Sequence, residues 1–357
     1  MTIRVLICDD SSMARKQMAR ALPKDWKADV AFAFDGKNCL EKLEETEAEL
    51  LFLDLNMPVM DGYEVLETVR KHDLPVMTIV VSGDIQPEAR ERVRKLGAID
   101  FIKKPTSTEH VTSILRDYGL LRAEDFESEE SGPEPAAGQQ PASTETSATP
   151  QTSPEKASEG PSVNLSEYLQ EISNVAMGRS SDLLARLLKV FVKQPIPKVE
   201  TITTGELSMA ISAANAESQY SAVCQGFIGA GIAGEAMLLF NEANFEAMAE
   251  LLHYDESDTE NLQVEVLMDM SSILFGAFIN GIGDQLNLKL GLGHPTVLGQ
   301  HRKVEDLLEY HRAKQEKLLC IEINYELEDT DIRCDMLILL TEDSVPFLEK
   351  QLKYLVD

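Results

Sequence analysis

The sequence is short of positive charge. Lys and Arg number 33 against 61 Asp and Glu, a formal net charge of −28. A body that acidic is repelled by nucleic-acid phosphates. No stretch gathers Lys or Arg with interleaved aromatics, so no nucleic-acid partner is expected. The same charge argues against an anionic membrane surface. No uninterrupted apolar run reaches the ~18 residues of a membrane span. No basic stretch followed by a long apolar one marks a signal peptide. Cysteine is sparse and odd in number: Cys8, Cys39, Cys224, Cys320 and Cys334 are scattered and form no CxxC pair. That usage fits reduced, buried thiols rather than a disulfide framework or a zinc site. A glycine-rich phosphate loop is also missing, which removes nucleotide binding from the candidates. The expectation is a soluble, cytoplasmic protein with no membrane partner.

What is present falls into three segments. Residues 1–122 are periodic and apolar-rich. Residues 123–162 are acidic and rich in Ser, Thr, Pro, Ala, Gly and Gln, with Phe126 as the one large apolar side chain. Such a stretch cannot offset its ordering entropy, so a disordered, extended linker is expected there. Patterning resumes over 163–357.

In the first segment, apolar runs at Ile3–Cys8, Val30–Ala33, Leu50–Leu53, Thr78–Val81 and Ala98–Ile102 read as buried strands. Stretches of helical period separate and follow them: Ser12–Leu22, Lys37–Glu44, Gly62–Arg70, Glu88–Leu96 and Glu109–Tyr118. Strict alternation predicts an α/β fold, a five-stranded doubly wound parallel sheet whose working site lies at the carboxyl ends of the strands.

Those ends carry Asp9 and Asp10 after the first strand, Asp54 after the third, Ser82 after the fourth, and Lys103-Lys104-Pro105 after the fifth. Any one acid there is most often a cap or turn former. The whole set points elsewhere. Three converging carboxylates need a cation, and an oxygen-only donor set suits Mg2+. A lysine and a hydroxyl beside them complete a phosphoryl-handling site in which one carboxylate is the nucleophile.

The strings VLICDDSSMAR, LLFLDLNMPVMDG, IVVSGD and GAIDFIKKP resemble the CheY-like receiver domain of two-component response regulators. The resemblance covers all of residues 1–122. It implies that Asp54 is the phospho-acceptor and that Asp9, Asp10 and Asp54 hold Mg2+ with the backbone carbonyl of Asn56. It further implies that Ser82 is the switch hydroxyl, Phe101 the aromatic switch, and Lys104 the phosphoryl contact. The phosphodonor would be a sensor histidine kinase in a phosphorelay. Phosphorylation adds close to two negative charges, which draws Ser82 and Lys104 toward the acceptor and lets Phe101 turn inward. An ordinary core role is the plainer reading of Phe101.

The third segment repeats itself at an offset of about 98 residues, in units of about 163–255 and 261–357. Glu167, Glu171, Asn174 and Pro197 in the first copy match Glu265, Asp269, Ser272 and Pro295 in the second, with the same spacings of four, three and twenty-three. Each copy opens with a long apolar helix pattern. Each continues with two strand-like runs (Ser221–Ile228 and Gly234–Phe240; Leu318–Tyr325 and Cys334–Leu340) and closes with a helix (Glu242–Leu252; Ser344–Leu355). The expected result is an α/β domain of two pseudo-symmetric repeats.

Glu171 and Asn174 share one helix face. A carboxylate can pair with a lysine in another site, and a carboxamide can hold a water in line with a labile aspartyl phosphate. Alone, Glu-x-x-Asn is most often a solvated face. With Pro197 downstream and the run QGFIGAGIAGEAMLLF, the segment resembles the CheC, CheX and FliY phosphatases of CheY-like receivers. That resemblance implies Glu171 and Asn174 as the catalytic pair and a phosphorylated CheY-like receiver, in trans or its own, as substrate. Asp269 and Ser272 are shorter than Glu and Asn, so the second site is expected to be degenerate. The combined reading is a chemotaxis-related response regulator with a phosphatase output. The competing class is a non-catalytic, phosphorylation-controlled adaptor built on a decayed CheC fold. Whether the domains meet within one molecule or across a homodimer is left open by the sequence.

Overall fold

The computed structural model describes residues 2–121, 165–203, 205–206, 220–254, 262–302 and 317–356. The linker expected over 123–162 lies outside the described residues.

The first domain alternates strand and helix: β1 Ile3–Cys8, α1 Ser12–Ala21, β2 Ala28–Ala33, α2 Gly36–Thr46, β3 Leu50–Leu53, α3 Gly62–Lys71, β4 Met77–Ser82, α4 Pro87–Lys95, β5 Asp100–Lys103 and α5 Thr108–Asp117. All pairings are parallel, in the order β2-β1-β3-β4-β5. The inner strands β1 and β3 are near-continuous apolar runs because both of their faces are covered. Leu6, Cys8, Leu51 and Leu53 pack under α2, α3 and α4, and Ile7, Leu50 and Phe52 pack under α1 and α5. Side-chain caps start the helices at Ser11, Asp35, Asp61 and Ser107; Asp61 and Glu64 form a full capping box. Strand β5 begins two residues later than its apolar run. The Ala98 N–H is spent on Val93 O, finishing α4 through Gly97 at a φ of 106°.

The second domain contains α6 Leu165–Leu188, β6 Val192–Lys193, β7 Lys198–Thr203, β8 Tyr220–Gly229, β9 Ile232–Asn241, α7 Phe245–Leu251, α8 Leu262–Leu286, β10 Gly291–Leu292, β11 Thr296–Arg302, β12 Lys317–Leu327, β13 Arg333–Leu340 and α9 Val345–Val356. Short 3-10 turns at Glu242–Asn244 and Glu342–Ser344 lead into α7 and α9, so the two closing helices start later than their hydrophobic pattern. The sheet is antiparallel, ordered β10-β8-β9-β13-β12-β6, with β11 also on β8 and β7 also on β12. The strands β6, β7, β10 and β11 escaped the sequence reading, because edge strands bury little and β7 alternates only weakly. Helices α6 and α8 share one core with the sheet, built on Ile172, Met177, Leu274, Phe275, Phe278, Phe240 and Ile338. Helix α8 is long and apolar enough to cross a membrane by length and composition. Here its apolar residues fill that core.

Candidate functional site

At the carboxyl ends of β1 and β3, Asp9, Asp10 and Asp54 bring carboxylate oxygens within 4.8 Å of one another. Asp54 is 1% exposed. The close approach that places the next helix is sequence-specific: a Cβ on Gly62 would overlap the Asp54 carbonyl oxygen. Ser11 N donates to Asp9 Oδ1 at 2.9 Å, and Asn56 N donates to Asp54 Oδ2 at 3.1 Å. Lys104 enters from the end of β5, followed by a cis bond to Pro105. Its Nζ lies 2.7 Å from Asp9 Oδ2 and 3.2 Å from Asp54 Oδ1. Ser82, fully buried, accepts from Asp84 N at 3.1 Å. Phe101 sits in the core under α4, with the Arg90 guanidinium 5.1 Å over its ring.

A second element closes this pocket. Helix α6 lies across it, and Glu171 Oε1 is 3.2 Å from Lys104 Nζ. One turn on, Asn174 Oδ1 accepts from Asn56 Nδ2 at 3.3 Å. Glu167 Oε1 accepts from Ser12 N at 2.6 Å, a carboxylate at the positive end of α1. Glu171 and Asn174 are each 5% exposed, so both are buried by the contact. A cavity of about 280 Å³ remains beside them, lined by Asp10, Ser11, Pro58, Glu167, Glu171 and Asn174 among others.

The electrostatics show too little positive charge. Burial pushes Asp10 up to about 7, with Asp54 adding to the effect. Burial likewise holds Asp9 and Glu171 above the ordinary carboxylate range, although Lys104 pulls both down. Burial alone would lower Lys104; Asp54, Asp9 and Glu171 outweigh it and keep the ammonium protonated. Four carboxylates thus share one ammonium, and the buried Asp54 Oδ1 has only the 3.2 Å ion pair with Lys104 and no hydrogen bond. An oxygen-only donor set with more carboxylate charge than one ammonium can neutralise fits a hard divalent cation.

Residues 5–116 match the family described as "Response regulator receiver domain". The N-terminal domain is a CheY-like receiver domain. Receiver domains hold magnesium in an acidic pocket of this kind, and they take their phosphoryl group from a donor such as a histidine kinase. The chain is 35% identical over 118 residues to protein-glutamate methylesterase/protein-glutamine glutaminase 3 of Geobacter sulfurreducens, covering 32% of each chain. It is 42% identical over 114 residues to the corresponding protein 2 of Koribacter versatilis, covering 31% of each. The chain therefore spans about a third of the length of these relatives. Among solved structures, the response regulator domain of Thermotoga maritima CheB aligns with 29% identity and a TM-score of 0.29, over 33% of this chain and 93% of that one.

The second-copy pair does not join this site. Asp269 Oδ2 accepts from the Tyr254 hydroxyl at 2.7 Å, and Ser272 Oγ turns back to Met268 O at 2.6 Å. Pro197 is buried just before β7. Three contacts between the receiver domain and the second domain carry no motif signal and were missed. Gln86 bonds the backbone of Val192 at both its N–H and its C=O. Arg92 pairs with Glu328 at 2.7 Å and lies 4.6 Å over the Phe191 ring. The backbone of Gly83 rests against Asn174 and Gly178.

Proposed function

We propose that this chain is a chemotaxis-related response regulator whose C-terminal domain is a CheC-type aspartyl-phosphate phosphatase, with its own receiver domain as substrate. The observation that carries the reading is the placement of Glu171 on Lys104 and of Asn174 on Asn56, two residues after Asp54. The sheet supports the two-repeat architecture: β6 and β7 of one half pair with β12 of the other, while β10 and β11 pair with β8. Residues 123–162 serve as the tether between 1–122 and 163–357.

In this reading Asp54 takes the phosphoryl group, and Asp9 and Asp10, with Asp54 and the Asn56 carbonyl, hold magnesium. That ion supplies positive charge to the phosphoryl oxygens when bound. Lys104 neutralises a further oxygen, and Glu171 holds the ammonium in place through a charge-assisted contact. The Asn174 carboxamide orients a water toward phosphorus. The water oxygen bonds to phosphorus, the bond between phosphorus and the Asp54 oxygen breaks, and the electron pair returns to the Asp54 carboxylate. Inorganic phosphate leaves as dihydrogen phosphate, carrying both of the water's protons. Positioning suffices because the leaving carboxylate is a good one.

Docking and loading alternate. With α6 across the pocket, Asp54 is 1% exposed and closed to a kinase. The receiver domain is loaded when it leaves α6 and drained when it returns. The test is the lifetime of the Asp54 phosphoryl group after loading from a small phosphodonor with magnesium. Asn174→Ala should lengthen it by about 100-fold, the loss expected when a reacting water is misplaced by ~1 Å. Equal lifetimes would transfer the function to the adaptor reading.

A further inference from the structure

The contact that seats the receiver domain on α6 is read through backbone rather than through side chains. A Cβ on Gly178 would overlap the Gly83 carbonyl oxygen, and a Cβ on Gly83 would meet Asn174 O and Val175 Cα at 3.2 Å each. Gly83 follows Ser82 directly, so α6 rests on the loop that moves when the switch hydroxyl moves. Three residues further on, Gln86 is completely buried. Its Nε2 donates to Val192 O at 2.8 Å, and its Oε1 accepts from Val192 N at 2.9 Å. Val192 lies on β6, at the end of the sheet, where among the described residues its outward backbone groups have no strand to pair with. The carboxamide of Gln86 substitutes for that strand. Asp84 Oδ1 fixes Gln86 by accepting from its N at 3.0 Å and from its Nε2 at 3.2 Å.

We infer that Gly178 and Val192 form a reading surface for the loop after β4, restricting the domain to receivers that carry Gly-x-x-Gln immediately after the switch hydroxyl. This chain's Gly83-Asp84-Ile85-Gln86 is the matching sequence. The inference rests on the phosphatase reading for its substrate class and on the geometry alone for the docking. A side chain at 178 pushes α6 off the loop and carries Asn174 with it. A receiver without the carboxamide leaves the Val192 N–H and C=O buried and unpaired. Glu171 engages a lysine that the receiver family motif supplies; the loop contact supplies the discrimination.

The second repeat provides an internal control. Gly276 stands 98 residues after Gly178, and a Cβ there meets nothing within 4 Å. The experiment uses the full chain in four variants beside wild type: Gly178→Ala, Gly276→Ala, Gln86→Ala and Asn174→Ala. Two readouts are taken. Hydrogen exchange at the Val192 amide reports docking without any chemistry. The lifetime of the Asp54 phosphoryl group reports hydrolysis. Gly178→Ala and Gln86→Ala should deprotect Val192, and Gly178→Ala should lengthen the phosphoryl lifetime by about 100-fold, as for a reacting group displaced by ~1 Å. Gly276→Ala should match wild type in both. Ala is a better helix former than Gly, so loss of the fold is not expected at either position, and an unchanged or raised melting midpoint verifies it. Val192 protection in Gly178→Ala equal to wild type overturns the inference. A phosphoryl lifetime equal in wild type and Asn174→Ala overturns the phosphatase reading instead, and the exchange data then decide the loop-reading surface on their own.

Discussion

Two helix faces of the second domain carry the same spacing and opposite outcomes. On α6, Glu171 and Asn174 point out of their own domain into the acidic pocket of the receiver. On α8, Asp269 and Ser272 are exposed yet bonded within their own domain, to Tyr254 and to the backbone of Met268. The shorter side chains explain the difference. Serine reaches its own helix carbonyl four residues back more easily than anything beyond the helix. Asp269, one methylene shorter than Glu, lies within reach of the Tyr254 hydroxyl, whose ionisation it pushes up to about 12. A shared pattern along the helix therefore does not make a shared site; side-chain length and what covers the face do.

The largest expected effect separates the two pairs. Asn174→Ala should abolish accelerated loss of the Asp54 phosphoryl group, about 100-fold in lifetime, while Ser272→Ala leaves it unchanged. A lifetime equally sensitive to both would erase the distinction between the faces. Asp54→Asn should remove phosphoryl labelling altogether, which identifies the group being followed.

The next effect rebuilds the silent face. In an Asn174→Ala background, the triple change Asp269→Glu, Ser272→Asn and Tyr254→Phe restores length and frees the carboxylate. It should return part of the activity toward a phosphorylated copy of the receiver domain supplied in trans. No gain would place the defect in the surrounding surface rather than in the two side chains.

A smaller effect comes from the latch on α4. Arg92→Ala loses a half-exposed ion pair with Glu328 and the stacking on Phe191, worth about 1 kcal/mol together. The undocked fraction should rise about fivefold. Asp54 should then be loaded faster by a small phosphodonor, as followed by intact mass. Unchanged loading would mean that docking does not shield the acceptor.

The smallest is a pH dependence of docking. Burial pushes Asp84 up to about 6, with Asp182 adding to it and the two Gln86 hydrogen bonds opposing it. The cover of the second domain and the charge of Asp182 are lost on undocking, so the docked state binds a proton more tightly than the undocked one. This contribution favours docking at low pH and is lost as pH rises through about 6. The Val192 protection factor in excess magnesium, with the intrinsic pH dependence of amide exchange divided out, should accordingly fall from about pH 5 to about pH 7, and Asp84→Asn should flatten that fall.

Much of the receiver domain was legible because its determinants are local. Apolar runs of four to six residues mark strands buried on both faces, and the acids follow them directly. The strand at Leu50–Leu53 and the helix start at Gly62 coincide with their sequence signals. The edge strands of the second domain were not legible. Val192–Lys193 and Gly291–Leu292 are two residues long and take their pairing from partners more than sixty residues away. Gln86, Arg92 and Glu328 lacked any signal for the same reason, since each acts only against a distant surface.

The sequence by itself determined the chemistry available to this protein: three carboxylates, a hydroxyl and a lysine at strand ends, and a carboxylate and carboxamide one turn apart on a helix. Residue type and short-range period settle such things, because strand and helix periodicities dictate which neighbours share an end or a face. Only the tertiary structure decided that the two sets meet. Lys104 and Glu171 stand 67 residues apart in the chain and 3.2 Å apart in space. That distance depends on Gly178 leaving room for Gly83, on Gln86 pairing the edge of a sheet, and on charge that burial makes strong enough to matter.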